Sequence, residues 1–598
     1  MNLNQLSKQS DLKQLTKEEL LNLVSDIRKQ LYFDMSKTGG YLASNLSVVE
    51  LTIALHYVYN LDNDALIFDG DRHTRIHQML LNRYNKQFTS SYNAAISIAF
   101  GMSEGLIAQK KESEVVAILG DGSINDGINF EALKHLSERD SKVTIIYNDN
   151  SNSDLSVGNF DRSLNSLRVS KPYNVIKNDM SKVLGSNVVG KRVLSSLNSI
   201  KSVVKNNVLE TTIFREFGIE YLGPIDGHNL KQLFAAFKYA KSIDTSIIIH
   251  VITKKGRGYK VVEEDPSMHY DALRPYDLET TKPLSKFEDQ HMVNAAIVEQ
   301  TLLNIKKQNK ELMVVATRNL PQNQLINFGL KYAKDTFVIS NSELHATGFA
   351  AGLALKSLPT FLALSAHMIP SLYNQINNMI AANDLPLVMG INNAGLQADV
   401  NSDYQGVYDI NVFTSIPNLI VMQAQDQNEL QNLLASSFTY KKPVAIRYSN
   451  AMSNYTENTQ FEMIKIGTWT KAHYTEHMDA IIITYGDNVQ RYLKRIIANN
   501  FNIGLINARF IKPLDETMLL ELAALNLTIY IVETDVMRRG LSALITKFYR
   551  DHNLNVKIKQ FSLKEMHLQP NSIMNIRNEH RLDINTILKE IIEAIERG

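Results

Sequence analysis

The stretch Val115-Val116-Ala117-Ile118-Leu119-Gly120-Asp121-Gly122-Ser123, with Ile124-Asn125 and the helix-patterned FEALKH after it, decides how the chain folds. An apolar run rich in β-branched residues ends on an aspartate flanked by two glycines. After a polar turn a second such run, VTIIYNDNSN, ends on the amide Asn150. Short apolar runs alternating with helical pattern mark parallel strands joined by crossover helices. Ligands of open parallel sheets bind outside the carboxyl ends of the strands, and both polar turns stand at such ends.

The same theme repeats along 598 residues, too many for one core and enough for about three domains. VVAIL, VTIIYN and SIIIHVIT belong to a first block, which closes at the polar stretch PYDLETTKPLSKFED around 275 to 289. MVVAT, TFVIS, TFLALS, PLVMGIN and VAIRY form a second, ending in SNAMSNYTENTQFE around 449 to 462. AIIITYG, IGLINA and TIYIVET make a third and smaller one. The expectation is an α/β protein of three domains with mainly parallel sheets, spanning 1–280, 290–450 and 463–598.

Composition narrows the chemistry. With 44% hydrophobic residues, 21% charged and a formal net charge of +1, nothing in the charge balance calls for nucleic acid or an anionic membrane. Cysteine is absent, which excludes disulfides, thiolate metal sites and cysteine nucleophiles, so any metal is held by oxygen or imidazole. The longest apolar candidate, GFAAGLALKSLPTFLALSA, is broken by Lys356 and Pro359 and reads as helix, turn, strand. MNLNQLSKQSDLKQLTKEELLNLVSDI is a polar start followed by an amphipathic helix, and a cytoplasmic location is the expectation.

At the two strand ends, the Asp121 carboxylate, the Asn150 side-chain oxygen and a backbone carbonyl near Asn152 offer three oxygen ligands to a hard divalent ion. That leaves positions for phosphate oxygens and water, which suits Mg²⁺. Gly120 and Gly122 let the backbone approach a diphosphate closely. A Gly-Asp-Gly triplet on its own is equally a plain turn. Its pairing with NDN after the next strand is what favours a metal.

These motifs, with NLSVVELTIALHYVYN, YLGPIDGH, TKKGRGY, SELHATGFAAGLA, YQGVYD and RFIKPLDE in the same order along the chain, resemble the thiamine diphosphate enzymes of the transketolase group. The nearest likeness within it is the 1-deoxy-D-xylulose-5-phosphate synthase family. The resemblance implies a transketolase-like fold: a diphosphate-binding, a pyrimidine-binding and a C-terminal domain, assembled as a homodimer. It implies thiamine diphosphate and Mg²⁺ as cofactors, with Asp121, Asn150 and Asn152 at the metal and Gly122 and Ser123 against the diphosphate. Tyr259 in KKGRGY matches a cofactor-contacting tyrosine. Glu343 matches the glutamate whose carboxyl group hydrogen-bonds the cofactor's aminopyrimidine ring and favours the tautomer that removes the thiazolium proton. A lone glutamate at a helix start is ordinarily only a charge favoured by the helix dipole.

Departures from the family pattern gather where substrate is expected. Tyr41 stands at a histidine position, Arg72 at another, with His73 one residue later and His77 retained. His73 either takes over the displaced histidine's role or is a packed or solvated side chain. Gln87 falls at a third histidine position after a shortened loop. In ALSAHMIPSLYNQ, Met368 occupies a cofactor-facing aromatic position and Ser371 an arginine, with His367 beside them. Asn393 and Asn450 stand at two further arginine positions, and Val400 and Tyr404 replace an aspartate and a histidine, with Asp399 adjacent.

Guanidinium groups bind phosphate bidentately, and asparagine and serine do not. The expected activity is therefore carbon–carbon bond formation between a 2-oxo acid or ketose donor, such as pyruvate, and an altered, non-phosphorylated aldehyde. Arg72, Arg75 and Lys37 are candidates for replacement charge. Two alternatives stand beside it: the family's own reaction of pyruvate with glyceraldehyde 3-phosphate through a reorganised phosphate site, and a catalytically silent cofactor-binding or assembly protein.

Overall fold

The computed structural model describes residues 3–70, 73–86, 94–120, 122–150, 217–264, 276–278, 291–317, 325–339, 342–398, 404–450, 452–454, 460–537, 540–569 and 571–597. The chain divides into two compact units, Met1–Lys286 and Phe287–Gly598.

The first unit is built on strands β1 (Ala65–Phe68), β2 (Val115–Gly120), β3 (Thr144–Asp149), β4 (Glu220–Asp226) and β5 (Ile247–Ile252). All are parallel, in the order β1-β2-β3-β5-β4. Successive side chains of a strand point to opposite faces. Val116, Ile118, Ile146, Ile247, Ile249 and Val251 therefore join one core with the helices Lys17–Thr38, Val49–Val58 and Leu230–Ser242. Val115, Ala117, Leu119, Ile145, Tyr147 and Ile248 join a second core with Ala95–Gln109 and Gly127–Ser137. Covered on both faces, β2 and β3 need the unbroken apolar runs that the sequence shows. Tyr276, in the stretch read as a linker, is buried here, donating its N–H to Ser36 O at 2.8 Å and its hydroxyl to Tyr32 O at 2.8 Å.

The second unit contains β6 (His291–Val293), β7 (Met313–Thr317), β8 (Thr336–Ile339), β9 (Thr360–Ser365), β10 (Leu387–Asn392), β11 (Ile420–Gln423), β12 (Val444–Arg447) and β13 (Met452–Asn454). Next come β14 (Thr470–His473), β15 (Ala480–Thr484), β16 (Ile503–Asn507), β17 (Phe510–Lys512), β18 (Thr528–Met537) and β19 (Ile558–Leu563). A seven-stranded sheet runs β17-β11-β12-β10-β9-β7-β8 and a five-stranded one β14-β16-β15-β18-β19. Only the edge strands β17 and β14 run antiparallel to their neighbours in these two sheets.

β17 belongs by sequence to the C-terminal block, yet it completes the edge of the central sheet, and one apolar core is continuous through both. Trp469 helps tie the edge, donating its indole N–H to Phe510 O at 2.8 Å. The segment read as helix, turn, strand is the helix Glu343–Leu355 followed by β9. Among the described residues no helix is long and apolar enough to cross a membrane.

Candidate functional site

Each unit gathers its chemistry at the carboxyl ends of adjacent parallel strands. In the first unit β1, β2 and β3 end side by side. Beyond β1, Asp69 is largely buried. Its carboxylate accepts from Ala95 N at 3.3 Å and from Asn129 Nδ2 at 3.2 Å, and Asn129 Nδ2 also reaches Ser123 O at 2.8 Å. Burial pushes the Asp69 carboxyl above its usual range, opposed by the hydrogen bonds from Ser123, Ala95 and Asn129. Asp69 and Asn129 thus lock the Gly122–Ser123 turn to the β1 loop, a role that sequence reasoning missed. Its only sequence signal is a polar pair placed next to the strand ends.

Asn150 leaves the end of β3 and is buried, at 3% exposure. Its Nδ2 lies 3.3 Å from His73 Nε2, while its Oδ1 has no hydrogen-bond partner among the described residues. His73 also packs over β2: a Cβ added at Gly120 would stand 3.1 Å from His73 Cε1. So the histidine one position out of family register is the one beside Asn150.

His77 turns inward from the helix Arg75–Arg83. It shares a 2.7 Å hydrogen bond with the fully buried His56. Burial holds His77 down to about 4 and His56 well below the usual imidazole range, so both rings are neutral at pH 7. Tyr259 stacks on Tyr32 with ring centroids 4.5 Å apart, its hydroxyl 3.4 Å from Arg28 O. Asp121, Asn152, Arg72, Gln87, Asp399 and Val400 lie outside the described residues.

An unpaired buried amide oxygen is costly unless something accepts its lone pairs, and a hard cation does so. Asn150 therefore fits Mg²⁺. Among the described residues no group of three His, Asp or Glu side chains forms a metal cage. A shell shared with phosphate oxygens and water is the arrangement that Mg²⁺ commonly takes.

In the second unit Glu343 opens the helix Glu343–Leu355 just beyond β8. Ser342 caps that helix, accepting from His345 N at 3.2 Å. Glu343 is buried, at 9% exposure, at the positive end of the helix, where the dipole favours a carboxylate. Met368 is half-buried in the 3₁₀ segment Ala366–Leu372. His367, in the same segment, packs against Tyr404, with ring centroids 5.2 Å apart.

The ends of β9, β10 and β12 carry a connected set of neutral groups. Asn393 Nδ2 donates to Ser365 Oγ at 3.2 Å and to Asn392 Oδ1 at 3.1 Å. Asn450 Nδ2 donates to Asn393 Oδ1 at 2.7 Å and Gln397 Oε1 at 3.2 Å. Ser371 Oγ donates to Met368 O at 2.7 Å. Underneath, Arg447 is fully buried: Nε and Nη2 bind Asp409 at 2.6 and 3.0 Å, Nη2 reaches Gly406 O at 3.4 Å, and Nη1 binds Gln423. Burial lowers the guanidinium's proton affinity, but the Asp409 carboxylate outweighs it and keeps the group charged.

Comparison with known proteins follows this division of the chain. Residues 280–454 match the family model for the transketolase pyrimidine binding domain, and 471–587 that for the transketolase C-terminal domain. The fold is that of the transketolase class, whose members are thiamine diphosphate-dependent transferases. Residues 3–91 and 82–253 match the family model for 1-deoxy-D-xylulose-5-phosphate synthase.

Curated proteins of that name are similar throughout. The one from Macrococcus caseolyticus is 31% identical, covering 99% of this chain and 98% of its own. Those from Clostridium acetobutylicum and Listeria welshimeri are each 30% identical, covering 97% and 100% of this chain and 98% and 99% of theirs. The chain belongs to the 1-deoxy-D-xylulose-5-phosphate synthase family.

Proposed function

We propose that this protein is a Mg²⁺- and thiamine diphosphate-dependent transferase that joins the acyl fragment of pyruvate, or of another 2-oxo acid or ketose donor, to an aldehyde bearing no phosphate. Asp121, Asn150 and Asn152 hold the metal, Gly122 and Ser123 the diphosphate, Tyr259 and Met368 the cofactor's rings, and Glu343 the aminopyrimidine. Thiamine diphosphate supplies a nucleophilic carbon and an electron sink. Glu343 holds the proton that sets the pyrimidine tautomer, and His73, one position from the displaced family histidine and beside Asn150, and the retained His77 are the imidazoles assigned to the first unit's site. The chain acts as a homodimer, the assembly that the resemblance implies, in the cytoplasm.

One observation supports the altered acceptor. At all three positions where the family has arginines, the side-chain donors are already engaged within the protein: Ser371 to Met368 O, Asn393 to Ser365 and Asn392, Asn450 to Asn393 and Gln397. A phosphate accepts hydrogen bonds and donates almost none, and none of these three side chains has a donor left for it. Each charge-assisted hydrogen bond lost costs about 1.5–3 kcal/mol, or roughly 10- to 150-fold in binding.

The names of the relatives favour a second reading, formation of 1-deoxy-D-xylulose 5-phosphate from pyruvate and glyceraldehyde 3-phosphate. Mass spectrometry of products with pyruvate, glyceraldehyde and glyceraldehyde 3-phosphate together decides between them. Predominance of the non-phosphorylated product is expected; efficient, preferential use of the phosphorylated aldehyde returns the family reaction. No cofactor-dependent pyruvate consumption with either aldehyde would leave the silent cofactor-binding protein.

A further inference from the structure

The amides at the ends of β10 and β12 have a fixed polarity. Asn450 is exposed, and both hydrogens of its Nδ2 point inward, to Asn393 Oδ1 at 2.7 Å and Gln397 Oε1 at 3.2 Å. Among the described residues nothing donates to Asn450 Oδ1. The carboxamide cannot turn over without setting its oxygen against two other oxygens, so the outward atom is a hydrogen-bond acceptor.

Gln397 holds that orientation and is itself held. Its Nε2 donates to the main-chain oxygens of Asn393 at 3.0 Å and Gly395 at 3.4 Å, which leaves its Oε1 for Asn450. Its backbone exchanges two hydrogen bonds with the buried Gln405, at 2.7 and 2.9 Å. Gly395 and Gly406 pair across the same turn, where a Cβ at Gly406 would lie 2.2 Å from Asn393 O. The turn that presents the wall is therefore laced down before any ligand arrives, and a preorganised polar group discriminates more sharply than one that can reorient.

From this geometry, and resting on the acceptor assignment proposed above, we infer that Asn450, oriented by Gln397, selects an uncharged hydroxyaldehyde by accepting a hydrogen bond from a hydroxyl of the acceptor. An acceptor-lined wall favours a hydroxyl, which donates, over a phosphate, which does not, and over a methyl or methylene group, which leaves the amide oxygen desolvated and unpaired. Asn450 touches the substrate in this scheme, and Gln397 is a positioning residue.

The test uses the full-length protein loaded with thiamine diphosphate and Mg²⁺, with pyruvate as donor and three acceptors: glyceraldehyde, glyceraldehyde 3-phosphate and propanal. Expected kcat/KM is highest for glyceraldehyde, exceeding propanal by roughly 3- to 10-fold, the worth of one neutral hydrogen bond. Gln397→Leu releases the Asn450 amide and should collapse that ratio towards one, with the loss in KM for glyceraldehyde and little change in KM for propanal. Asn450→Ala removes the outward acceptor and should lose the preference for glyceraldehyde over propanal.

A second readout needs no turnover. Line broadening of glycerol by the protein in saturation-transfer NMR should weaken in Gln397→Leu, while circular dichroism reports that the variant is folded. Preference for glyceraldehyde 3-phosphate over both other aldehydes overturns the acceptor assignment itself. Equal use of glyceraldehyde and propanal, or a wild-type preference untouched by Gln397→Leu, overturns only the hydroxyl-reading wall.

Discussion

The two strand-end sites have the same architecture and opposite hydrogen-bond states. At β1, β2 and β3 of the first unit a buried amide oxygen, Asn150 Oδ1, has no partner among the described residues. At β9, β10 and β12 of the second unit the amide nitrogens of Asn393, Asn450 and Gln397 have theirs. A buried acceptor left open by the described residues favours the binding of a cation, which recovers its desolvation cost. A self-satisfied wall needs no ligand to be stable and can only select among those that arrive. On the proposed reading, the first site suits a cofactor that stays and the second a substrate that exchanges.

The contrast depends on the second wall being rigid, and its rigidity rests on Arg447. That side chain is one of the largest fully buried in the protein, and it joins β12, through Gln423 the end of β11, and through Gly406 the turn beneath the amides. Arg447→Met leaves Asp409 charged and unpaired in the interior. Removing one partner of such a pair costs about 3–5 kcal/mol, the largest loss expected here. Asn450→Ala, three positions on and exposed, should cost at most about 1 kcal/mol. Trp469 is the protein's one tryptophan and reports on the second unit, so guanidinium unfolding followed by its fluorescence measures both. Similar losses in the two variants would break the distinction between a guanidinium kept for the fold and guanidinium positions given up at the ligand face.

Much of this architecture is legible in the sequence because the strands that are buried on both faces advertise themselves. VVAIL, VTIIYN, TFLALS, PLVMGIN and AIIITYG are all strands. Those that escaped notice are short, irregular or at edges: β1 has four residues, β4 carries Gly223 and Pro224 in its middle, and β17 has three residues and pairs with a strand about ninety positions away. Of the site, the residue types and strand ends were readable, and so were the missing arginines. The polarity of the amides was not. Asn393, Asn450 and Gln397 are interchangeable as letters, and which atom faces outward is fixed only once Ser365 at the end of β9 and the Gln405–Gly406 segment converge on them. His77 shows the converse, since a matching motif position says nothing about its pairing with His56.

That histidine pair supplies the next test, behind the first site. His77 is held at about 4 by burial against an ordinary 6.5, and His56 is displaced the same way. Between those values the unfolded chain binds a proton at His77 that the folded chain refuses, so protons favour unfolding. The contribution is fully present above pH 6.5 and is lost as pH falls towards 4, amounting to about 3 kcal/mol from His77 alone. Protection factors of amides in β1 and the helix Arg75–Arg83, taken relative to the unstructured chain at the same pH, should fall steeply as pH drops through this window in the wild type and less steeply in His77→Gln. Identical pH dependence in the two proteins would show that the pair is not the acid-sensitive element of the first unit.

The smallest expected change in stability is at Asn150 itself, and it bears most directly on the comparison. Asn150→Leu keeps the branched shape, removes the 3.3 Å contact with His73, and also removes a buried oxygen that has no partner among the described residues. The lost hydrogen bond and the relieved desolvation have opposite signs and similar size, so the cofactor-free protein should change by no more than about 1 kcal/mol. The effect of ligand should change far more. With Mg²⁺ and thiamine diphosphate at a hundred times their dissociation constant, the wild type gains about 2.7 kcal/mol by mass action, and a variant lacking the metal's amide ligand gains little at the same concentrations. Paired thermal melts, with and without cofactor and with excess chelator, separate the two quantities. If Asn150→Leu destabilised the cofactor-free protein by several kcal/mol, the oxygen would be a structural acceptor satisfied in solution. The two strand ends would then differ in sequence but not in kind.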